Sequence, residues 1–342
     1  MMLGKAIKMH VSYKQNGWPN KPGFRYLPVL VVVLFASICA GQEPPAVPRV
    51  DGAIQQQLDE AASRIAGVPT YDLQYRVVPG EEYRWSVEHT ANSRVAQQKQ
   101  TTDTSMRSTA TKTWKILRVD SVGNITLTHS VDSMRLWQRV GEQDPVSYDS
   151  QTDSEVPAIF RQVAEMRGKP LATITVTPQG QETFRDSEHL MPQLGYGHAT
   201  IPLPEGSIAI GQRWHTPQQW RVRNEDGISR MIHGRTSYEL RKVLDGQAYI
   251  TFQTEVLTPL ENDHMRAQLM HYLSRGYVVF DLKRGLISMR EVEWDCKVQG
   301  HVSPDSFMHH TAKLTEKLLI EIKPAVATPR SGADANTPVT DR

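Results

Sequence analysis

Two short segments combine carboxylates with an imidazole, the side chains that bind divalent metals and transfer protons. They are Asp186-Ser-Glu-His189 and Glu261-Asn-Asp-His264. Each has the pattern of a loop or a helix start, where acids also cap helices and solvate the surface. Because that structural role accounts for both segments, we assign no catalytic, cofactor-binding or metal-binding residue.

Two further patterns resemble functional motifs only in part. Gly195-Tyr-Gly-His198 lacks the third glycine and the preceding buried strand of a phosphate-binding loop, so it predicts an ordinary loop. His309-His310 has no partner nearby in sequence and predicts a solvated pair between strands. A catalytic triad forms in space rather than in sequence. A hydrolytic site assembled from distant residues such as His189, Asp263 and His264 therefore stays open as an alternative.

The first 40 residues have the pattern of an export signal. Residues 1–42 contain five basic residues and no acid, and an apolar run of 14 residues covers 27–40. As a helix this run is about 21 Å long, shorter than a hydrocarbon core of about 30 Å. We predict an export signal ending at Ala40, or an uncleaved anchor over the same residues. The protein is then exported to the periplasm, the cell envelope or the medium, and membrane contact comes only through this segment.

Composition excludes several classes of protein. The chain has 342 residues, of which 39% are hydrophobic and 22% charged, so it is not wholly disordered. Without residues 1–40 the net charge is +2 − 5 = −3, and no basic run interleaved with aromatics indicates a nucleic-acid partner. Only Cys296 remains beyond that segment, so no intrachain disulfide is expected.

The rest of the chain divides by its pattern. Residues 41–50 predict a proline-rich linker, and residues 51–67 predict an amphipathic helix with apolar side chains at helical spacing. From residue 71 the hydrophobic period is two, which predicts antiparallel strands. Residues 324–342 have no apolar period and predict a disordered tail.

An internal repeat organises the predicted strands. Residues 113–127 and 237–252 share an order of aromatic, aliphatic and glycine positions, and both predict hairpins. In this alignment we expect Trp114 to correspond to Tyr238 and Ile125 to Ile250. Each follows a Gly-to-Trp segment and precedes a helix candidate and another hairpin. We therefore predict a mainly β (α+β) fold of two similar units of antiparallel hairpins, each with a short helix, together with the N-terminal amphipathic helix. The units cover 71–200 and 201–323, and the helix candidates are Ala158–Arg167 and Glu261–Ser274.

The side chains that point into the core can be assigned most clearly in the segment that ends at Val298. Trp294, Cys296 and Val298 alternate with charged residues, which places Cys296 inside as a buried thiol. The run Leu314 to Ile322 predicts the closing strand. Six tryptophans mostly occupy strand positions and are expected in a core or on a concave face. They are Trp85, Trp114, Trp137, Trp214, Trp220 and Trp294.

This layout resembles a family of secreted bacterial proteins, chiefly from planctomycetes, that carry a domain of unknown function. The resemblance covers about residues 71–300. It rests on Gly80-Glu-Glu-Tyr-Arg-Trp85, Thr113-Trp-Lys-Ile116 with Gly123-Asn-Ile-Thr126, Leu203-Pro-Glu-Gly206 leading to Gly211-Gln-Arg-Trp214, and Phe280-Asp-Leu-Lys-Arg-Gly285. These motifs are structural in character, and the family implies no activity and no catalytic residues.

Two functions follow from these patterns. The first is a non-catalytic binding or scaffolding protein of the cell envelope, whose apolar concave face takes a lipid-like small molecule or an envelope protein. The second is the exported hydrolase described above. We favour the first, because the sequence contains an export pattern and a repeat but no local set of nucleophile, acid and base.

Overall fold

The computed structural model describes residues 67–97, 100–186, 199–224, 226–300, 303 and 305–319. The predicted export segment, linker, tail and all but the last residue of the predicted amphipathic helix lie outside these residues. So do His189 and the Gly195–His198 segment. No helix among the described residues is long and apolar enough to cross a membrane.

The described part of the chain is mainly β, as predicted. Its strands are β1 (Thr70–Tyr71), β2 (Glu82–Gln97), β3 (Gln100–Val119), β4 (Ile125–Val140), β5 (Val146–Asp149), β6 (Pro170–Val176), β7 (Glu182–Asp186), β8 (Ile208–Ala209), β9 (Arg213–Arg223), β10 (Ser229–Leu244), β11 (Gln247–Val256), β12 (Arg275–Asp281), β13 (Leu286–Gln299) and β14 (Phe307–Leu319). A 3₁₀ turn (Ala158–Phe160) leads into helix α1 (Arg161–Ala164), and helix α2 covers Asp263–Leu269.

Twelve strands form one antiparallel sheet. Its order is β7-β6-β4-β3-β2-β14-β13-β12-β11-β10-β9, with β5 paired to β4 beside this path. β1 and β8 form a separate pair. The predicted closing strand exists, but it begins at Phe307 and lies in the middle of the sheet, between β2 and β13. It therefore joins the two halves of the chain.

Two consecutive backbone amides show that the sheet is strongly curled. Tyr75 N–H donates to Pro178 O at 2.8 Å, and Arg76 N–H donates to Gly285 O at 3.0 Å. Pro178 lies in the β6–β7 turn and Gly285 in the β12–β13 turn, on opposite sides of β14. Turns this far apart in the sheet can bond two adjacent residues of one segment only if the sheet bends into a trough with a concave inner face. We call this end of the trough the closed end.

A large core fills the closed end. Aromatic and aliphatic residues of both halves pack there around segments 71–77 and 199–208. The Tyr75 ring meets the Phe280 ring edge to face at 5.4 Å, and the Tyr75 hydroxyl bonds both polar backbone groups of Ile201. Each fully buried side chain of this kind stabilises the fold by about 1.5–3 kcal/mol. The closed end is therefore the structural core of the molecule.

The same order of elements occurs in both halves. Apart from β5, which comes between β4 and α1 in the first half only, β2, β3, β4, α1, β6 and β7 are matched by β9, β10, β11, α2, β12 and β13. Residues 113–127 and 237–252 are both hairpins, as predicted. Both carry a register shift at the same place, between Ile116 and Arg118 and between Leu240 and Lys242. Duplication remains a prediction, which this shared irregularity supports.

The register refines which residues correspond. Ile116 pairs with Leu127, and Leu240 pairs with Ile250. Trp114 and Tyr238 lie two residues before Ile116 and Leu240, so they correspond as expected. The residue that corresponds to Ile250 is Leu127, and the sequence-based choice of Ile125 was wrong by two positions. Insertion of extra turn residues after Val119 explains the difference, because the first turn is longer than Asp245-Gly246.

The predicted facing of β13 is confirmed. Cys296 and Val298 are buried and Trp294 is half-buried, whereas Asp295 and Lys297 are exposed. Cys296 is a free thiol whose pKa is raised by burial. Its inner-face neighbour across the ladder is His310 of β14.

Candidate functional site

Two helical segments cover the flanks of the trough at the end opposite the closed end. On one side Phe160 and Met166 share a buried cluster with Leu136 and Tyr148 of β4 and β5. On the other side Met265 and Leu269 of α2 share a cluster with Trp220 of β9 and with β10. The α1 segment follows β4 and the short strand β5, and α2 follows β11. Both segments also reach the middle strands in part. The cluster of Phe160 and Met166 includes Val87 and Leu314. Met270, just after α2, packs with Cys296 and Val298 of β13 and with Met308 of β14.

The inner face of β2, β3 and β14 between these covers remains half-buried among the described residues. We call this surface the open floor. The strand register aligns Ala312, His310 and Met308 of β14 with alternate residues of β2. The open floor consists of the half-buried residues Ser93, Val95, Thr104, Met106, Met308, His310 and Ala312, together with the buried Ala91 between them.

Three imidazoles gather at the open floor beside Trp294. The rings of His271 and His310 are 5.2 Å apart, and His89 meets Trp294 edge to face at 6.4 Å. The Trp294 indole N–H donates to the backbone oxygen of His271 at 2.9 Å and so ties β13 to the segment after α2. Burial and the neighbouring imidazoles lower the pKa of His310 to about 4. The His310 imidazole is therefore uncharged at neutral pH.

One polar pair terminates the open floor toward the closed end. His89 of β2 and Ser108 of β3 lie opposite each other in the ladder, and both are buried. His89 Nδ1 and Ser108 Oγ have no hydrogen-bond partner among the described residues. Burial lowers the pKa of His89, which keeps this imidazole neutral. Native proteins nearly always satisfy buried polar atoms, so this pair calls for a partner from outside the described chain.

A buried ionic cluster lies next along the inner face. Lys112 Nζ is 2.5 Å from Glu316 Oε1, and an Arg290 guanidinium nitrogen is 2.7 Å from Glu316 Oε2. Lys112 also lies over the rings of Trp85 and Trp114, at 5.4 and 5.8 Å from their centroids. The cluster separates the apolar core of the closed end from the open floor.

The ionic cluster sets the protonation of its members and of His129. Burial raises the pKa of Glu316, but Arg290 and Lys112 outweigh that effect and hold it below its usual range. Burial lowers the pKa of Lys112 below its usual range. Burial and the charge on Lys112 lower the pKa of His129 to about 3, so this imidazole is neutral in the folded state.

The sequence-predicted acid–imidazole segments have structural roles where the structure describes them. Asn262 caps α2 by accepting from Met265 N–H at 2.9 Å. Glu261 pairs with Arg230, and Asp263 lies 3.6 Å from Arg266. These contacts are what caps and surface acids make. No group of three or more His, Cys, Asp or Glu residues within the described ranges is arranged to hold a metal ion.

The prediction for His309-His310 was wrong. Both residues lie inside β14 and face opposite sides of the sheet. His309 bonds Asp295 at 2.9 Å, and His310 bonds Ser93 Oγ at 2.8 Å. The apolar alternation of β14 is clear only from Leu314 onward, which is why the strand's first half was missed.

Sequence reasoning also missed His89, Ser108, Lys112 and Glu316. The two-residue alternation of side chains along a strand could have found them. Each of the four lies an even number of residues from an inward aromatic or aliphatic residue of its own strand, such as Trp85, Ile116 or Leu314. Of the tryptophans, half face the cores directly. Trp85, Trp114 and Trp220 are buried, whereas Trp137, Trp214 and Trp294 are half-buried.

A separate groove of about 530 Å³ lies on the outer face of the sheet. Tyr249, Tyr277 and Met289 line it, on the side opposite the buried Ile250 and Val278. The Ser288 hydroxyl in this groove has acceptors within the protein, since it lies 2.9 Å from Gln247 Oε1 and 3.1 Å from the Val279 backbone oxygen. We therefore place the candidate site on the inner face, where His89 Nδ1 and Ser108 Oγ lack such partners in the part of the chain that the structure describes.

Comparison with known proteins identifies no family. No family model and no curated protein matches the sequence. A lipovitellin structure, on lipid–protein interactions, matches with a TM-score of 0.40 at 11% identity over 75% of this chain and 27% of its own. The translocator domain of the autotransporter NalP from Neisseria meningitidis matches with a TM-score of 0.22 at 7% identity, over 78% of this chain and 97% of its own. OccK7 from Pseudomonas aeruginosa matches at 0.21 and 8% identity, over 70% and 99%.

These similarities concern only the path of the backbone, and they are weak. The chain spans about a quarter of the lipovitellin chain that it matches. With scores and identities this low, none of the three carries an argument about function. The candidate site therefore depends on its own geometry.

Proposed function

We propose that this protein is an exported cell-envelope protein that binds a lipid-like molecule on the open floor without transforming it. The observation that carries the proposal is the position of the open floor. It is a mostly apolar strip of concave surface between two helical covers, whereas the closed end of the same trough is filled by the protein's own core. Concave apolar surface with a few polar groups is the usual form of a small-molecule site.

The side chains of the open floor suit a flexible apolar ligand. Met106 and Met308 are unbranched and polarisable, and such side chains adapt to irregular apolar partners. Ala91 and Ala312 lie opposite each other in the ladder. Because both side chains are small, they project little from the sheet in the middle of the open floor. An apolar chain lying there would remove the half-buried residues from water at a gain of about 25 cal/mol per Å².

Export is supported by the sequence alone, through the basic leader and the apolar run of residues 27–40. N-terminal sequencing of protein secreted by a bacterial host should begin near Gly41 if the signal is cleaved. A membrane-bound product that keeps residues 27–40 would indicate the anchor instead. Recovery of the full-length chain in the cytoplasm would contradict export in both forms.

The binding proposal is tested by extracting the purified protein with organic solvent and analysing the extract by mass spectrometry. Wild-type protein should release a lipid-like compound in an amount comparable to the protein. Ala312→Phe, which fills the open floor, should abolish this, whereas Thr311→Phe, one residue away on the outer face, should not. Equal recovery from the two variants would contradict binding on this face.

One observation favours the hydrolase as a second candidate. Ser93 Oγ and His310 Nδ1 are 2.8 Å apart on the open floor, which is the contact of a nucleophile with its base. However, the pKa of His310, about 4, makes it a weak base at neutral pH. Assay of the purified protein on nitrophenyl esters of increasing chain length tests the candidate. Turnover that Ser93→Ala removes would establish it.

A further inference from the structure

We infer that His89 and Ser108 hold the uncharged, hydroxyl-bearing head of a single-chain amphiphile whose apolar chain lies along the open floor. This inference rests on the proposed function and specifies the chemistry of its ligand. It begins from two buried polar atoms, His89 Nδ1 and Ser108 Oγ, that have no partner among the described residues. Side chains directly opposite in an antiparallel pair have Cβ atoms about 5 Å apart, so one ligand atom can reach both.

The position of the pair fits a head group. His89 precedes Ala91, Ser93 and Val95 on the inner face of β2, so the pair lies where the open floor meets the filled part of the trough. From His89 to Val95 the strand covers about 20 Å at roughly 3.3 Å per residue. One leaflet of a hydrocarbon core is about 15 Å thick, so a single acyl chain of membrane length fits this distance.

The surroundings of the pair favour an uncharged head. Its inner-face neighbours in the same ladder row are Leu314 and Leu136, both apolar and buried. The nearest charged groups toward the closed end, Lys112, Arg290 and Glu316, are engaged with one another. An ionised carboxylate would lie there without a partner cation, at a large cost. A hydroxyl both donates and accepts, and so satisfies an imidazole nitrogen and a serine oxygen together.

Trp294 is placed to close the site over the head. Its ring lies edge to face against His89 and its N–H bonds the backbone of His271, so it spans from the floor to the segment after α2. We expect its fluorescence to change when ligand binds.

The test measures displacement of a fluorescent apolar dye from delipidated protein by dodecanol, dodecane and dodecanoate near neutral pH. Dodecanol should bind about tenfold more tightly than dodecanoate. Ser108→Ala should weaken dodecanol binding about 3- to 10-fold, the value of one hydrogen bond, and leave dodecane unchanged. Ser105→Ala, on the outer face of the same strand, is the matched control and should leave all three affinities unchanged.

A second measurement separates a ligand-binding role from a structural one. Because the Ser108 hydroxyl has no hydrogen-bond partner within the described ranges, Ser108→Ala should leave the urea midpoint of the ligand-free protein equal or raise it. His89→Leu should weaken dodecanol binding, and His89→Asn, which keeps a polar atom near the position of Nδ1, should restore part of it.

Each remaining outcome overturns a defined statement. Equal affinity for dodecanol and dodecane, unchanged by Ser108→Ala, would refute the head-group site while leaving lipid binding on the open floor intact. Tighter binding of dodecanoate would refute the uncharged head. A lower urea midpoint in Ser108→Ala without a change in affinity would mean that ordered water holds the pair. Failure of all three probes to bind would refute the proposed function itself.

Discussion

Lys112 and Glu316 form an ion pair in the interior of the trough, 2.5 Å apart and 204 positions apart in sequence. Both side chains are almost fully buried, and Arg290 shares the same carboxylate. The pair joins β3 to β14 across β2, and Arg290 adds β13. It thus links strands of both halves at the centre of the sheet.

Removing the shared carboxylate should be strongly destabilising. Glu316→Gln leaves two buried cations without their counter-ion, and breaking a buried pair in this way costs about 3–5 kcal/mol. Urea unfolding measures the change. Glu291→Gln is the control, because Glu291 pairs with the half-exposed Lys313 on the outer face at 2.9 Å. The control should show only a small fraction of that effect, and equal losses would mean that the cluster is not buried in solution.

Stability should fall as the pH drops from about 6.5 to 4. The unfolded chain has ordinary histidines with a pKa near 6.5, whereas burial lowers the pKa of His129 to about 3. Between these pKa values the unfolded state binds more protons than the folded state. The free energy of unfolding therefore increases as the pH rises and decreases on acidification. His129 alone accounts for about 3 kcal/mol between pH 6.5 and 4.

Urea midpoints across this pH range test the assignment. His129→Leu should flatten the slope, because the group that must stay neutral on folding is gone. His309→Gln, at a half-buried site on the outer face, should keep it. If the slope persists unchanged in His129→Leu, the acid sensitivity arises elsewhere, with His310 the next residue to replace.

Local alternation explains how much of this fold the sequence could predict. The hairpins at 113–127 and 237–252 and the facing of 291–298 were predicted because period two is visible within a few residues. The ionic cluster was not, because Lys112 and Glu316 look like outward polar residues until their phase with Trp114 and Leu314 is followed. Pairing of β2 with β14 is set by contacts more than 200 positions apart, which no local pattern reports. The His89–Ser108 pair was missed for the same reason.

Cys296 should react slowly with a thiol reagent in the native state and rapidly in denaturant. It is buried on the inner face, and burial raises its pKa, so little thiolate is available. The matched control introduces a cysteine one residue away on the outer face, as Cys296→Ser with Lys297→Cys. That variant should label rapidly without denaturant. Equal native rates for the two proteins would place the inner and outer faces of β13 the wrong way round.

The two halves should depend equally on their corresponding core residues. Leu127 and Ile250 hold the same register position opposite Ile116 and Leu240, and both are almost fully buried. Truncation of either to Ala should cost about 2–5 kcal/mol in urea unfolding, since each leaves a cavity in the closed-end core. Ile125→Ala should cost a similar amount, because Ile125 is also buried. Loss at one of Leu127 and Ile250 with near-neutrality at the other would contradict equivalence of the halves, because the same register and the same burial predict the same penalty.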